Sequence, residues 1–550
     1  MLAGRMMDMP MMISSILEYA ADARRDYEIV SRRTEGDVHR YTYADAARRT
    51  ARLAHALRRL DIGYGDRVAT MAWNGYRHFE LYYAISGIGA VCHTLNPRLH
   101  PGQLAYVINH ARDRLLFLDV TFLPLLAALG EHLPRDLRVI VLCDPGEMPE
   151  AAPPGALCYE ERIGVEADTI DWPQFDERAA SSLCYTSGTT GNPKGVLYSH
   201  RSTFLHTLGM LTLVPGTGLG DNAALLPVVP LFHANAWGLP YIAPLLGANL
   251  VFPGPRLDGK SVFDLMDAEK VRSAWGVPTV WLGMLAEMRR RGRKPDGFEY
   301  VLSGGSAVSR AMIEEFEREY SVSVIHGWGM TEMSPVGTTS SVQLRSEAGL
   351  EPDDRIERKT RQGRRMFTVE MRIVDETGSA LAHDGVSFGE LQVRGHGVVD
   401  GYHSDEEASA QAMSSDGWLR TGDVARIDQD GTLTLVDRTK DVIKSGGEWI
   451  SSIDLENAAL GHPAIAECAV IAMPHPKWDE RPFLIARLEE GRSATLEDIH
   501  AFLSDKVARW WLPDDVAFVD ELPHTATGKL SKLDLRQQFA DHVLPTARSD

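Results

Sequence analysis

At 550 residues, with 44% hydrophobic and 24% charged residues, the chain exceeds a typical single domain and has a globular rather than a disordered or fibrous composition. Its formal charge of −19 argues against nucleic acid or an anionic membrane surface as a main partner. Five widely spaced cysteines (Cys92, Cys143, Cys158, Cys184 and Cys468) form no CxxC or metal knuckle, and an odd number without a leader points to reduced thiols in a cytoplasm.

The Met-rich start is broken by Arg5, Asp8 and Glu18 and so lacks an apolar signal core. Thr42 with Asp45 predicts a capping box for a helix carrying Leu53, Leu57 and Leu60, with Gly63 as its stop. The runs Val68–Ala72, Leu115–Leu118 and Val139–Cys143 read as buried strands between helical stretches, an alternation that implies α/β layers with largely parallel sheets. Leu183–Tyr185 is a further short strand, delivering the loop that follows to a sheet edge. In that loop Thr186, Ser187, Gly188, Thr189, Thr190 and Gly191 carry little bulk, so N–H groups and hydroxyls can close around phosphate oxygens while Lys194 adds a point charge. It is not a Walker A loop, because five residues separate Gly188 from Lys194 and no Gly-Lys-Ser/Thr follows.

Between Asp221 and Arg256 the chain is uncharged and long enough to cross a bilayer, but six prolines interrupt it, together with His233, Asn235 and Asn249. It reads as buried strands, turns and a short helix lining a core or pocket, not a membrane span. The basic run Arg289–Lys294 reads as a solvated helix end, with a contact to the phosphates of a ligand as the alternative. After the apolar Tyr300–Leu302, the pair Gly304-Gly305 is either a tight turn or a place where backbone approaches a flat ring without Cβ interference. The clearest boundary falls at Asp437–Lys444. Before it Thr432–Val436 alternates like a strand. After it Ser452 precedes a helical stretch ended by Gly461, Ala469–Ala472 is a strand, and Thr495 with Asp498 caps a helix running to about Val507. The expected architecture is α/β: a large N-terminal domain of layered sheets and helices (1–437), a hinge (438–444) and a small mobile α+β C-terminal domain (445–550).

The loop Tyr185–Gly195 resembles the signature of the adenylate-forming enzymes: acyl-CoA synthetases, peptide-synthetase adenylation domains and luciferases. Further matches follow in that family's order, at Leu231–Trp237, Gly327–Glu332, Thr421–Asp423, Asp437–Trp449 and Thr527–Lys529, so the resemblance spans about residues 180 to 530. It implies an ATP-dependent acyl-CoA synthetase that makes acyl-AMP and pyrophosphate, then transfers the acyl group to coenzyme A. Thr186, Ser187, Gly188, Thr189, Thr190 and Lys194 would hold the β- and γ-phosphates, and Thr186 and Glu332 would bind Mg²⁺. Gly305, Ser306, His326, Gly327, Trp328, Gly329, Met330 and Thr331 would frame adenine and the acyl group. Asp423 would accept from the ribose hydroxyls, and Arg438 would add a second contact there.

By the same resemblance Lys529 stabilises charge at the adenylation transition state. Neighbouring Lys532 reads as a solvated lysine. After domain rotation on Lys440, the segment with Lys444, Gly446, Gly447 and Trp449 replaces Lys529. His233 and Trp237 match an aromatic gate to the acyl tunnel, beside Gly305 and Trp328. No lysine or arginine is evident to pair a second substrate carboxylate, which favours an apolar monocarboxylic acid. Ile443–Ser452 and Pro474–Pro482 look like a subgroup of bacterial medium- and long-chain fatty acyl-CoA synthetases and 3-methylmercaptopropionate-CoA ligases. Ser181–Ser202 and Asn96–Leu99 fit the latter slightly better. A long-chain fatty acyl-CoA synthetase proper, or a ligase for aryl or other acids, is the alternative. Relatives in the subgroup imply a homodimer.

Rivals from other classes lack their motifs. Gly87–Cys92 misses the third glycine of a dinucleotide fingerprint, and no G-x-S-x-G surrounds Ser187 or Ser306. A non-catalytic nucleotide scaffold would need neither Glu332 nor Lys529.

Overall fold

Apolar runs too short for helices become parallel strands. Arg67–Met71, Val91–Thr94, Leu115–Asp119, Arg138–Leu142, Leu157–Cys158 and Ala180–Tyr185 form the parallel body of a seven-stranded sheet. These strands are largely buried, which is why they read as continuous hydrophobic runs. Only the edge strand Gly195–Ser199 is antiparallel, paired with Ala180–Tyr185. The computed structural model describes residues 4–186, 192–213, 216–220, 222–446, 448–524 and 530–547.

The helix Tyr76–Gly87 is buried along its whole length, packed between the seven-stranded sheet and strand Glu28–Arg32 of a second sheet. Its Glu80 is saturated by Arg49 (2.7 Å) and the Tyr159 hydroxyl, as a buried carboxylate must be. The preceding amphipathic helix Tyr43–Arg59 begins at the expected capping box of Thr42 and Asp45.

The second sheet has thirteen strands. Its parallel block runs through Glu28–Arg32, Asn249–Phe252, Ala224–Pro227, Ser273–Gly276, Tyr300–Ser303 and Ser323–Gly329. From Ser323–Gly329 onward every pairing is antiparallel, beginning with Val336–Thr339 and ending at Val369–Val374. The proline-rich stretch supplies two of these strands, the buried turn Ala234–Gly238 and the eight-residue helix Leu239–Leu246. No helix among the described residues is long and apolar enough to cross a membrane.

The basic run caps the helix Pro278–Arg291 and is neutralised within the chain. Arg289 pairs with Glu315, Arg290 and Arg291 with Glu287, and Arg293 with Asp267. All five cysteines are buried and reduced.

Thr432–Arg438 is a strand of the large sheet, while Ile443–Ser445 already belongs to a separate five-stranded sheet with Glu448–Ile450, Ile465–His475, Asp479–Leu488 and Asp515–Phe518. The helix cap after it is Ser451, whose hydroxyl accepts from Asp454 N–H; Ser452 lies inside the helix Ser452–Ala459. The capping box at Thr495 and Asp498 forms, but its helix ends at Leu503. There the N–H groups of both Lys506 and Val507 turn back to the Leu503 carbonyl and fold Val507 against the core.

Lys532 is not the solvated lysine its sequence suggests. Its side chain is 13% exposed, pairs with Glu456 at 2.7 Å and donates to Ser452, whose own hydroxyl and N–H donate to Asp437. Burial lowers the basicity of Lys532, but the charges of Glu456, Asp437 and Asp441 more than offset it. A buried ion pair therefore joins two C-terminal helices, and Ser452 links it to Asp437 on the strand Thr432–Arg438 of the large sheet. Lys532→Met leaves Glu456 without its partner and is expected to cost about 3–5 kcal/mol. Urea unfolding checks this, and pairing the change with Glu456→Leu should recover most of the loss.

Candidate functional site

The strands that deliver residues to one place do so with their carboxyl ends, at the point where the large sheet changes from parallel to antiparallel pairing. Val228 and Val229 follow Ala224–Pro227, Val277 follows Ser273–Gly276, and Gly304 and Gly305 follow Tyr300–Ser303; Gly327–Glu332 completes the set. Together with Thr186 and Lys194 they line a cavity of about 500 Å³.

One wall is apolar, built from Val228, Phe232, Trp237, Leu257, Val277 and Val280 among others. Trp237 sits in a turn whose four residues Ala234 to Trp237 all have φ between 44° and 57°, followed by Gly238. Left-handed backbone costs non-glycine residues roughly 1–2 kcal/mol each, and the side chain of Asn235 holds the turn. Its Nδ2 donates to Ser182 Oγ (2.9 Å), and its Oδ1 accepts from the Tyr82 hydroxyl (3.2 Å) and Cys184 Sγ (3.3 Å). The apolar wall is thus bolted to the strand Ala180–Tyr185.

The opposite end is polar. Ala180–Tyr185 and Gly195–Ser199 form a hairpin closed by Thr186 N–H to the Lys194 carbonyl (3.0 Å) and Lys194 N–H to Thr186 Oγ1 (3.1 Å). The tip of that loop, Ser187 to Gly191, lies outside the described residues. Glu332, 7% exposed, is the middle residue of the short turn Thr331–Met333 after the glycine-rich strand end. Burial pushes its carboxyl up, opposed by a hydrogen bond from the Tyr402 hydroxyl (2.8 Å) and by the charges of Arg438 and Lys194. Lys194 Nζ lies 4.9 Å from the centre of the Tyr402 ring.

Asp423 is 4% exposed and has both oxygens engaged: Trp328 Nε1 donates to Oδ2 (3.0 Å) and Arg438 Nε approaches Oδ1 (2.8 Å). This joins Trp328, Asp423 and Arg438 into one unit. Trp328 and Arg438 line the cavity, as do Gly305, Gly327, Gly329, Met330, Thr331, His233 and Trp237. Ser306 is exposed and does not line it. His326 is held in the core by the Thr360 carbonyl (3.0 Å), with burial lowering its imidazole to about 4. Lys440, Lys444 and Gly446 are exposed, and Trp449 packs against Phe388; none of the four lines the cavity. Gly447 and Lys529 lie outside the described residues.

Of the cavity residues that escaped the sequence, two make cation–π contacts there. Arg98 stacks over Phe232 (5.9 Å), with burial lowering its basicity and no carboxylate paired to it among the described residues. This corrects the expectation that no arginine is available to a second substrate carboxylate. Tyr402 is the other, and no spacing marks it.

A Mg²⁺ site fits this donor set. Mg²⁺ takes one or two hard carboxylate oxygens plus phosphate and water, and Glu332 with the Thr186 hydroxyl supplies such donors beside the phosphate loop. No group of three or more His, Cys, Asp or Glu among the described residues would compete as a metal cluster.

The family model for AMP-binding enzymes matches residues 17–403, and that for the AMP-binding enzyme C-terminal domain matches residues 454–529. The chain is 47% identical to a 3-methylmercaptopropionyl-CoA ligase of Ruegeria lacuscaerulensis, covering 98% of this chain and 99% of the relative. It is 48% identical to a medium-chain-fatty-acid–CoA ligase of Ectopseudomonas oleovorans (99% of each) and 45% identical to a long-chain-fatty-acid–CoA ligase of Thermus thermophilus (98% and 97%). Among solved structures, an anthranilate CoA ligase in complex with anthranoyl-AMP superposes with a TM-score of 0.85 at 25% identity, covering 98% of this chain and 99% of that one.

The cavity's back wall carries a pH dependence. His206 is 2% exposed, accepts Val336 N–H at Nε2 (3.2 Å) and lies against Gly238, and burial lowers its imidazole to about 3. An unfolded imidazole takes up its proton near pH 6.5. Between these values the unfolded chain binds the extra proton, so stability rises with pH across the window and falls on acidification. Going from pH 6.5 to 5, His206 accounts for a loss of about 2 kcal/mol. His206→Gln, which keeps an acceptor, should remove that part of the loss in urea titrations at the two pH values.

Proposed function

Because the chain belongs to the family of AMP-binding enzymes and is an AMP-forming carboxylate–CoA ligase, we propose that it activates an apolar monocarboxylic acid, either 3-methylmercaptopropionate or a short/medium- to long-chain fatty acid. The observation that carries the choice is the cavity itself: an apolar wall meets one buried carboxylate, Glu332, flanked by Lys194 and Arg438. The named acids of the relatives at 45–48% identity support the same range.

In the first half-reaction a carboxylate oxygen of the acid attacks the α-phosphorus of ATP, and the bond to the α–β bridging oxygen breaks, giving acyl-AMP and pyrophosphate. The protein's part is positioning and charge stabilisation. Lys194, Thr186 and the loop Ser187, Gly188, Thr189, Thr190 take the β- and γ-phosphates. Glu332 and Thr186 hold Mg²⁺, which when bound neutralises charge on the departing pyrophosphate. Asp423 receives the ribose hydroxyls on the lone pairs that Trp328 and Arg438 leave free. The glycines Gly305, Gly327 and Gly329 admit adenine and acyl group to the backbone, with Ser306, His326, Met330 and Thr331 completing that surround. Lys529 bridges the acid's carboxylate and the α-phosphate.

In the second half-reaction the thiolate of coenzyme A attacks the acyl carbonyl and AMP leaves. The segment 438–444 acts as the hinge between 1–437 and 445–550. Rotation about Lys440 exchanges Lys529 for Lys444, Gly446, Gly447 and Trp449. The exposure of Lys444 and Gly446, away from the cavity, is compatible with their serving only after such a rotation. His233 and Trp237 form the gate on the acyl side. Five buried reduced thiols support a cytoplasmic enzyme, and the subgroup resemblance supports a homodimer.

Lys529→Ala is expected to abolish acid-dependent pyrophosphate release while leaving thioester formation from supplied acyl-AMP and coenzyme A within about threefold of the parent. Equal loss of both steps would remove Lys529 from the first half-reaction. A screen of AMP release over C3 to C18 acids, 3-methylmercaptopropionate included, fixes the substrate. Failure of all apolar acids beside turnover of a dicarboxylate would overturn the substrate class.

A further inference from the structure

The segment Val398–His403 joins the two halves of the polar end. Val399 N–H donates to the Glu332 carbonyl (3.0 Å), and His403 N–H donates to the Gly195 carbonyl (2.8 Å), next to Lys194. Gly195 leaves room for this approach: a Cβ there would stand 3.2 Å from the His403 Cβ. The backbone of Tyr402 itself is held by its N–H to Ser409 Oγ (2.8 Å), and Ser409 in turn donates to the Asp405 carbonyl. The segment's backbone is thus held by its own hydrogen bonds, while the tyrosine side chain packs beside Cys184, Val196 and Tyr198 and makes two polar contacts, both in the cavity. Its hydroxyl donates to Glu332 Oε1 (2.8 Å), and its ring face receives the Lys194 ammonium (4.9 Å).

We propose that Tyr402 is a positioning residue for adenylation: its hydroxyl fixes the orientation of the Glu332 carboxylate toward the metal and its ring seats Lys194 toward the phosphates. The inference rests on the adenylation reading above. A buried carboxylate with one oxygen tethered presents the other in a fixed direction, and a lysine held by cation–π attraction keeps its charge without an acidic partner that would neutralise it. An aspartate or glutamate in place of Tyr402 would pair with Lys194 and repel Glu332. A phenol does neither: its hydroxyl donates to Glu332 and its ring face meets Lys194.

The two contacts separate by substitution in the full-length protein. Tyr402→Phe removes the hydroxyl and keeps the ring. It is expected to raise the Mg²⁺ concentration for half-maximal pyrophosphate release about tenfold, the size of one lost hydrogen bond to a carboxylate, with KM for ATP changed by less than about threefold. The same tenfold weakening should appear in Mn²⁺ binding, read by electron paramagnetic resonance with an ATP analogue that cannot be cleaved between the α- and β-phosphates and with no acid present. Tyr402→Leu removes the ring as well and is expected to add a rise in KM for ATP. Mn²⁺ binding and Mg²⁺ dependence of Tyr402→Phe within about twofold of the parent overturn the proposal. So does an equal loss in both half-reactions, which marks a merely structural residue. Absence of pyrophosphate release by the parent with every acid overturns the adenylation reading instead, and the acid-free Mn²⁺ measurement then still decides whether Tyr402 orients Glu332.

Discussion

The site depends on one strand having unlike neighbours. Ser323–Gly329 pairs in parallel with Tyr300–Ser303 and antiparallel with Val336–Thr339, with a register shift at Trp328 and Gly329. Backbone crowding at that shift is severe: a Cβ on Gly329 would stand 2.0 Å from the Pro335 carbonyl oxygen, and one on Gly304 2.9 Å from that of Gly327. Only glycine lets the strand change partners there. The change splays the carboxyl ends apart and opens the cavity, and Glu332 follows three residues later. Gly304, Gly305 and Gly327–Glu332, which line the cavity together, are all hung on this one irregularity.

Much of this was legible in the sequence, for physical reasons that differ by element. Capping boxes at Thr42 and Thr495 are local, needing only a hydroxyl and a carboxylate three residues apart, and both formed. Doubly buried parallel strands announce themselves as apolar runs. The proline-rich stretch was legible as short strands, turns and one short helix rather than a continuous span, because proline removes donors. What failed was non-local. Lys532 looks solvated beside Ser531 and Leu533, and its burial comes from Glu456 and Asp437, some eighty residues or more upstream. Arg98 and Tyr402 follow ordinary loop sequences, and only the tertiary fold turns their side chains into the cavity. The motif residues gather as a group at Thr186, Lys194, Gly327–Glu332 and Arg438, while Ser306 and His326 show that membership of a motif is not contact with the cavity.

The junction between the sheets is governed by the same rule as the site. Asp437 is 2% exposed near the end of the strand Thr432–Arg438, and the Ser452 hydroxyl and N–H meet it, with Lys532 and Glu456 close behind. Arg536 reaches Asp441 across the same gap. Charges removed from water need partners, so an interface assembled from ions holds its geometry while those partners match and releases as a set. An apolar interface of similar size would slide. For a segment such as 439–442, that difference favours discrete orientations over a continuum.

The left-handed turn Ala234–Trp237 has a consequence for how such a pocket diversifies. Its strained backbone is kept in place by Asn235 gripping Ser182 and Cys184, which ties this part of the apolar wall to the strand Ala180–Tyr185. Remodelling the turn would disturb those hydrogen bonds at the same time. The rest of that wall, where Leu257 follows a strand in a loop and Val277 and Val280 open a helix, shows no such side-chain tether among the described residues. Side chains there can change without touching the bonds that hold the turn, which makes it the part of the lining freest to vary.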